Sequence, residues 1–277
     1  MALKDILVHV DSSRAMPGRV RAAAELARVH EAHLTGLYVI EVPVLPSYAE
    51  AQIPVAIIDA QRAAFVRAAA AAEQEFGDIT TKIGISAEWR SVEDRRIDTL
   101  ALHAHYVDLL IVGQADDTDP ECVSRSLADH LVLATGRPVM VIPASGAKPP
   151  IGENIVVAWN GRREAVRAIS DAMPLLETAK RITVVTINSK SEDPENTGIP
   201  AAAIGLHLAR HGIDTQTMSL FGAPATIGDL LLDAVRDESA DLLVMGAYGH
   251  SRYRELILGG VTAHVLEHSS IPTLLAH

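Results

Sequence analysis

The strongest constraint on this chain of 277 residues is an internal repeat, because two copies of one unit must fold as two similar halves. The run VDLLIVG at 107–113 returns as ADLLVMG at 240–246, with an acidic residue, an apolar strand and a final glycine in the same order. The halves also begin alike, since DILVHVD at 5–11 and NIVVAWN at 154–160 are apolar strands that end in Asp or Asn. We therefore expect two copies of one unit in tandem.

Strands and helices alternate within each half, which predicts an α/β fold with a doubly wound, Rossmann-like parallel sheet in each copy. A long helix near 56–76 is part of this alternation. The composition agrees, because 48% hydrophobic but only 4% aromatic residues suit helices packed on a parallel sheet. A proline- and glycine-rich stretch at 143–152 has the character of a linker. We expect domains at 1–146 and 152–277.

Charge and cysteine content narrow the classes of function. The net charge of −11 at pH 7 is shared by both halves, so neither is a basic nucleic-acid-binding module. The apolar runs have strand length, which argues against a transmembrane segment. The single cysteine, Cys122, cannot form an internal disulfide, and the start of the chain lacks a signal-peptide pattern. These features predict a cytoplasmic protein with no nucleic-acid or membrane partner.

The glycine-rich segment MGAYGHSRYRELILGGVT is the candidate functional site. Gly246 ends a predicted strand, and Gly249 lets the turning backbone approach a ligand. Gly259 and Gly260 open a predicted helix, where free amides and the helix dipole favour an anion. Thr262, in the first turn, adds a hydroxyl donor. The segment therefore predicts a phosphate-binding loop.

This glycine spacing resembles the signature of the universal stress protein family, in which Gly, two residues, Gly, nine residues and Gly precede a Ser or Thr. The resemblance covers nearly the whole chain as two repeats and implies an adenine nucleotide alpha hydrolase-like fold. It implies that ATP or AMP, with or without Mg²⁺, binds the second half, with the adenine near Asn160 and Ile187. The residues that match the phosphate and ribose contacts of ATP-binding members are Met245, Gly246, Gly249, Gly259, Gly260, Val261 and Thr262.

Two residues of this site depart from the family pattern. Gly260 replaces the usual Ser or Thr, which removes a hydroxyl hydrogen bond worth about 0.5–1.5 kcal/mol but keeps the backbone amide. Asn160 replaces the family's Asp, which keeps a hydrogen-bonding oxygen and removes a negative charge. We expect adenine contact to survive and a carboxylate role to be lost.

The first half departs much further from the pattern. Arg125 and Ser126 stand where the second glycine pair is expected, although Asp11 and Ser12 keep the family's ending of the first strand. Like charges would repel a phosphate in the loop after Gly113, which carries four acidic residues: Asp116, Asp117, Asp119 and Glu121. We therefore expect a degenerate loop and no nucleotide in this half.

The histidines are weaker candidates for a metal site. His207 and His211 lie four apart on a predicted helix, a spacing that suits zinc, but no third ligand is evident. We expect solvated histidines there. His103, His105 and Cys122 are interpreted as polar turn residues rather than metal ligands.

The leading interpretation is a regulatory protein of the stress response that binds an adenine nucleotide and hydrolyses ATP slowly at most. Two alternatives stay open: a nucleotide-free interaction or scaffold module, and an enzyme that acts on an adenylated substrate. No catalytic triad or carboxylate pair stands at a recognisable spacing. Arg252 and Arg254 either approach the phosphates or lie on the surface.

The resemblance also implies an intramolecular pseudo-dimer. Residues 138–142 and 272–275 are short strands opened by proline, and we expect them to pair as the final strands of single-domain relatives do in their dimers. Such pairing would cover two sheet edges. An unknown protein partner and a further homodimer stay open.

Overall fold

The computed structural model describes residues 2–41, 55–122, 126–189, 201–223, 226–248 and 260–277. Within these ranges, strands and helices alternate in the same order in both halves. The first half contains β1 (Asp5–Val10), α1 (Met16–His30), β2 (His33–Ile40), α2 (Val55–Ile83), β3 (Ala87–Glu93), α3 (Arg96–Ala104), β4 (Leu109–Gly113), α4 (Ser126–Ala134) and β5 (Val139–Ile142). The second half contains β6 (Asn154–Ala158), α5 (Arg163–Leu176), β7 (Arg181–Ser189), α6 (Ala201–Arg210), β8 (Gln216–Gly222), α7 (Ile227–Asp237), β9 (Leu242–Gly246), α8 (Gly260–His268) and β10 (Thr273–Ala276).

All described strands form one ten-stranded sheet in the order β3-β2-β1-β4-β5-β10-β9-β6-β7-β8. Neighbours within each half run parallel, and β5 and β10 join the halves in antiparallel register, with Leu274 opposite Met140. The structure thus confirms the α/β class and the pairing of the two final strands. The pairing leaves neither β5 nor β10 as an open sheet edge.

Helices cover both faces of the sheet, so the residues of the central strands are apolar on both sides rather than alternating. One core cluster packs against α1, α2, α5 and α6, through side chains such as Ile6 and Val157. The other packs against α3, α4, α7 and α8, through side chains such as Leu7 and Leu243. Adjacent strand residues therefore belong to opposite cores. Among the helices that the structure describes, none combines the length and apolar character needed to cross a bilayer.

Two helices end at other residues than the sequence pattern predicts. The long helix expected near 56–76 continues to Ile83, because its residues Phe76 and Thr80 are buried against the rest of the protein. Gly84, at a φ of 83°, ends it. The helix expected to carry both His207 and His211 ends at Arg210. Gly212, at a φ of 78°, supplies the left-handed conformation that commonly stops a helix.

Candidate functional site

The strand order places a candidate crevice at the carboxyl ends of the strands in each half. The first strand of each half lies between the second and the fourth, so β1 separates β2 from β4 and β6 separates β7 from β9. Ligands in such sheets bind at the point where the strand order reverses. The two crevices are equivalent by position, and their residues can be compared directly.

In the first half, the crevice is filled by a side chain. Arg19 of α1 is 1% exposed, and its Nη2 atom lies 2.8 Å from Oδ1 of Asp11. Its Nε donates a hydrogen bond of 2.8 Å to the carbonyl oxygen of His9. The guanidinium is so close to Gly113 that a Cβ on that glycine would lie 2.1 Å from Nη1. Gly113 therefore makes room for Arg19.

Burial and charge set the ionisation of this cluster. The pKa of His9 is lowered from 6.5 to about 3, chiefly by burial, and Arg19 and Arg96 also lower it while Asp11 raises it. Burial acts to raise the pKa of Asp11, but Arg19, His9 and hydrogen bonds from Ser13 outweigh it and hold that pKa at about 2. At neutral pH the crevice thus contains a charged Asp11–Arg19 pair beside a neutral imidazole.

The acidic loop after β4 closes the same end of the first half. Asp119 is 7% exposed, and its carboxylate accepts hydrogen bonds from the amides of Arg14 at 2.7 Å and Glu121 at 3.1 Å. Asp116 accepts two hydrogen bonds from Thr118, which lower its pKa. The amide of Arg14, which could otherwise donate to a bound anion, therefore already donates its hydrogen bond to Asp119.

In the second half, the corresponding strand end is exposed. Asn160 follows β6 and accepts a hydrogen bond of 3.0 Å from the amide of Arg162, the same turn that Asp11 forms with Ser13. Arg19 stands eight residues after Asp11, but the residue eight positions after Asn160 is Ala168. The guanidinium that fills the first crevice has no counterpart at this position.

Gly246 permits a close backbone contact at the end of β9. A Cβ on Gly246 would lie 2.5 Å from the amide nitrogen of Ala165 and 2.5 Å from the carbonyl carbon of Glu164. These are main-chain atoms of the first turn of α5, which cannot move as a side chain does. The glycine is thus required for α5 to pack here, whether or not a ligand binds.

Three of the predicted site residues meet at the carboxyl end of the strands in the second half. Ala158 is aligned with Met245 on one side and with Val185 on the other. Asn160 after β6, Ile187 near the end of β7 and Gly246 at the end of β9 therefore lie side by side. The side chain of Met245 itself is only 5% exposed, so a ligand would meet its backbone.

The start of α8 lies at the same carboxyl end of the strands. Gly260 is exposed, and a Cβ added to it would meet no heavy atom of the described residues within 4 Å. Val261 is partly buried against the core, and Thr262 is 5% exposed. The Oγ1 atom of Thr262 accepts a hydrogen bond of 3.4 Å from the amide of Tyr248, which links the helix start to the end of β9. Four predicted site residues fall outside the described ranges: Gly249, Arg252, Arg254 and Gly259.

Three residues with a clear role at these strand ends were missed by sequence reasoning. Arg19 fills the first crevice, and no sequence motif marks it. Gln114 donates from its amide to the carbonyl oxygens of Leu266, Glu267 and Ser269 at 3.0–3.2 Å, which caps the end of α8 from the first half. Tyr248 donates its phenol hydrogen to Asp129 of α4. The only available signal for Tyr248 was its place between two glycines of the loop.

The remaining candidates do not converge on a second centre. His207 and His211 are exposed, with ring centroids 5.0 Å apart. Across the described ranges, no three His, Cys, Asp or Glu side chains come together as a metal site. A cleft of about 460 Å³ lies between α7 and α8, where His264 contacts Asp229 at 2.9 Å. It opens near the amino ends of β9 and β10, away from the edge where this sheet type binds ligands.

Comparisons with known proteins address the fold and the family. A solved universal stress protein from Archaeoglobus fulgidus aligns with 98% of this chain and 97% of its own length, at a TM-score of 0.76 and 17% identity. The functionally unknown protein PA1789 from Pseudomonas aeruginosa aligns with 99% of this chain and 92% of its own length, at a TM-score of 0.64 and 17% identity. At such identities the likeness shows a shared fold.

Sequence comparison extends the likeness to the family. Universal stress protein Slr1230 of Synechocystis is 34% identical over 91 residues, which is 33% of this chain and 30% of that relative. The match thus spans under a third of the relative's length. The model of the universal stress protein family matches residues 2–143 and 153–277, nearly the whole chain. The chain therefore belongs to the universal stress protein family, as two tandem copies of its domain.

Proposed function

We propose that this protein is a regulatory protein of the stress response that binds one adenine nucleotide, ATP or AMP, in its second half. The observation that carries the proposal is the difference between the two crevices. Arg19 fills the first, whereas the second has Ala168 at the same repeat position and an exposed Asn160. Among the described residues, the strand end of the second half has no counterpart of the buried Arg19–Asp11 pair.

Adenosine would lie at the ends of β6, β7 and β9. Asn160 offers both an oxygen and an amide donor to an adenine edge, and Ile187 contributes a partly buried apolar surface. The backbone at Met245 and Gly246 would bound the ribose. These groups are adjacent because of the sheet register, so little rearrangement is needed to form the contact.

The phosphates would lie at the start of α8. Thr262 supplies a hydroxyl, Gly260 supplies an amide with open space around its Cα, and the positive end of the helix dipole favours the negative charge. Gly249 and Gly259 complete the cradle in this proposal on the strength of the motif alone. Mg²⁺ would be held mainly by the phosphates and water, because Asn160 supplies an amide rather than a carboxylate.

Several finer expectations belong to the same proposal. The domains extend over 1–146 and 152–277, the protein acts in the cytoplasm, and hydrolysis of ATP is slow at most. A nucleotide-free scaffold and an enzyme for an adenylated substrate are the competing functions. The absence of any bound nucleotide at millimolar ATP would favour the scaffold, and rapid turnover would favour the enzyme.

Calorimetric titration of the full chain with ATP and with AMP tests the proposal. We expect about one nucleotide per chain, and we expect Gly259→Val to abolish binding because a branched side chain would block the amide cradle. A change at the loop glycine of the first half, Gly113→Ala, should leave ATP affinity within about twofold, even though its Cβ would crowd Arg19. About two nucleotides per chain, or ATP affinity unchanged by Gly259→Val, would show that the site lies elsewhere.

A further inference from the structure

We infer that the first half positions Thr262, the proposed phosphate ligand at the start of α8, through a hydrogen bond between Tyr248 and Asp129. This inference rests on the proposed function, because it names what holds that same site in its binding geometry. Tyr248 and Asp129 are positioning residues in this scheme, since neither is placed in contact with the nucleotide. Their effect on binding would pass through the Tyr248 backbone to Thr262.

The contacts form a continuous chain from one half to the other. Tyr248 lies two residues beyond Gly246, and its amide donates to Oγ1 of Thr262 at 3.4 Å. Its phenol hydroxyl donates to Oδ1 of Asp129 on α4, across 119 residues of sequence. The residue that orients Thr262 is thus itself anchored on the first half.

The backbone of Tyr248 requires such an anchor. Its φ of 60° lies in the left-handed region, which is unfavourable for a residue with a bulky side chain. In that conformation the amide points at Thr262, and Thr262 accepts the hydrogen bond. The hydroxyl hydrogen of Thr262 is then left to donate to a phosphate oxygen, because a hydroxyl both accepts and donates. Anchoring the phenol preorganises this donor and reduces the ordering cost of binding.

Asp129 is suited to hold the phenol. It is 8% exposed, and burial raises the pKa of its carboxyl group, while the hydrogen bond from Tyr248 and the neighbouring His130 act in the opposite direction. The hydroxyl therefore stabilises the charged carboxylate in a largely buried position. A cleft of about 340 Å³ adjoins it, with Gln114 and Ala128 in its lining.

The bridge exists on one side of the pseudo-dimer only. By the repeat, Ala115 corresponds to Tyr248 and Ala263 corresponds to Asp129. Both alanines line the cleft, and neither side chain can form a hydrogen bond. The bridge therefore serves the loop that keeps its glycines and is missing from the loop that has lost them. This asymmetry matches support of a binding loop better than general cohesion between the halves.

Titration of the full-length protein with ATP and with adenosine tests the bridge. Tyr248→Phe removes only the hydroxyl, and Asp129→Asn weakens the acceptor without changing its shape. We expect each to weaken ATP binding by about 3–10-fold, because the hydroxyl of Thr262 is no longer held in place for its hydrogen bond to phosphate. Adenosine has no phosphate, so its affinity should stay within about twofold. The double variant should bind ATP as tightly as the single variant with the lower ATP affinity, because both changes break the same hydrogen bond. Tyr38→Phe, which removes a phenol hydroxyl bonded to Ser12 in the first half, is the matched control and should change neither affinity.

The outcomes separate this inference from the proposed function. Wild-type protein that binds neither ATP nor adenosine would overturn both. Wild-type binding together with ATP affinity unchanged in Tyr248→Phe would overturn the bridge alone. Equal losses for ATP and adenosine would also overturn it, because a merely structural role would affect both ligands. Additive losses in the double variant would show that the two residues act separately.

Discussion

The two halves share a fold but fill the crevice at their strand ends in opposite ways. At the ends of β1 and β4, Arg19 pairs with Asp11 inside the protein, and both side chains are nearly inaccessible to water. At the ends of β6 and β9, an exposed Asn160 lies beside Gly246, and Ala168 stands at the repeat position of Arg19. A reversal of strand order leaves space that either a side chain or a ligand can fill.

The comparison also separates two reasons for a glycine at one repeat position. Gly113 is needed because the guanidinium of Arg19 occupies the space of its Cβ. Gly246 is needed because the first turn of α5 packs on it. Neither requirement involves a ligand, so the conserved position within the repeat does not by itself indicate nucleotide binding. The case for the second half rests on what surrounds the glycine.

The largest expected effect comes from removing the cation of the first crevice. Arg19→Ala introduces the residue that the second half has at this position, and it leaves Asp11 buried without its partner. We expect the free energy of unfolding to fall by about 3–5 kcal/mol, the usual cost of breaking a buried ion pair from one side. Urea unfolding of the wild type and the variant measures this loss.

Two further variants sharpen that result. Asp11→Asn added to Arg19→Ala should recover part of the stability, because the uncompensated charge is removed and the strand end becomes that of Asn160. Arg28→Ala, in the same helix, breaks an exposed pair with Glu25 and should cost less than about 1 kcal/mol. If Arg19→Ala costs no more than Arg28→Ala, the ion pair does not hold the first crevice closed.

The pH dependence of stability should also distinguish the halves. His9 has a pKa of about 3 when folded and 6.5 as its ordinary value, so the unfolded chain binds the proton between these limits. The stabilisation is present above pH 6.5 and is lost as the pH falls toward 3. We expect His9 to account for a loss of about 2 kcal/mol between pH 7 and pH 5.

His9→Gln isolates this contribution, and the equivalent residue of the second half is Ala158, which does not titrate. The variant should lose less stability than the wild type between pH 7 and pH 5, as measured by urea unfolding at both values. Asp11 does not interfere, because its pKa is lowered from 3.8 to about 2. Its contribution to stability is therefore lost only between pH 3.8 and pH 2. Equal losses in the two proteins would mean that His9 already takes up a proton in the folded state.

The sequence predicts the fold well because the fold depends on patterns that are local or repeated. Apolar strands and their alternation with helices are enough to give the α/β class, and the resemblance to the family supplies the pairing of β5 with β10. The crevice chemistry could not be predicted in the same way. Arg19 is one of several arginines on an ordinary helix, and its burial follows from contacts with β1 and β4. The partner of Tyr248 lies 119 residues away in the other half, where no local pattern points to it.

The smallest expected effect tests the one hydroxyl by which the second half departs from the family pattern. A Cβ on Gly260 would meet no described residue within 4 Å, so we expect Gly260→Ser to fit and to restore a phosphate hydrogen bond. One such bond contributes about 0.5–1.5 kcal/mol, which corresponds to ATP binding up to about tenfold tighter in a calorimetric titration. Ser126 holds the equivalent position in the first half, so Ser126→Gly is the matched control and should leave ATP affinity unchanged. Tighter binding from Gly260→Ser alone would place the phosphates at α8, whereas an effect of Ser126→Gly would move them to the first half and reverse the comparison.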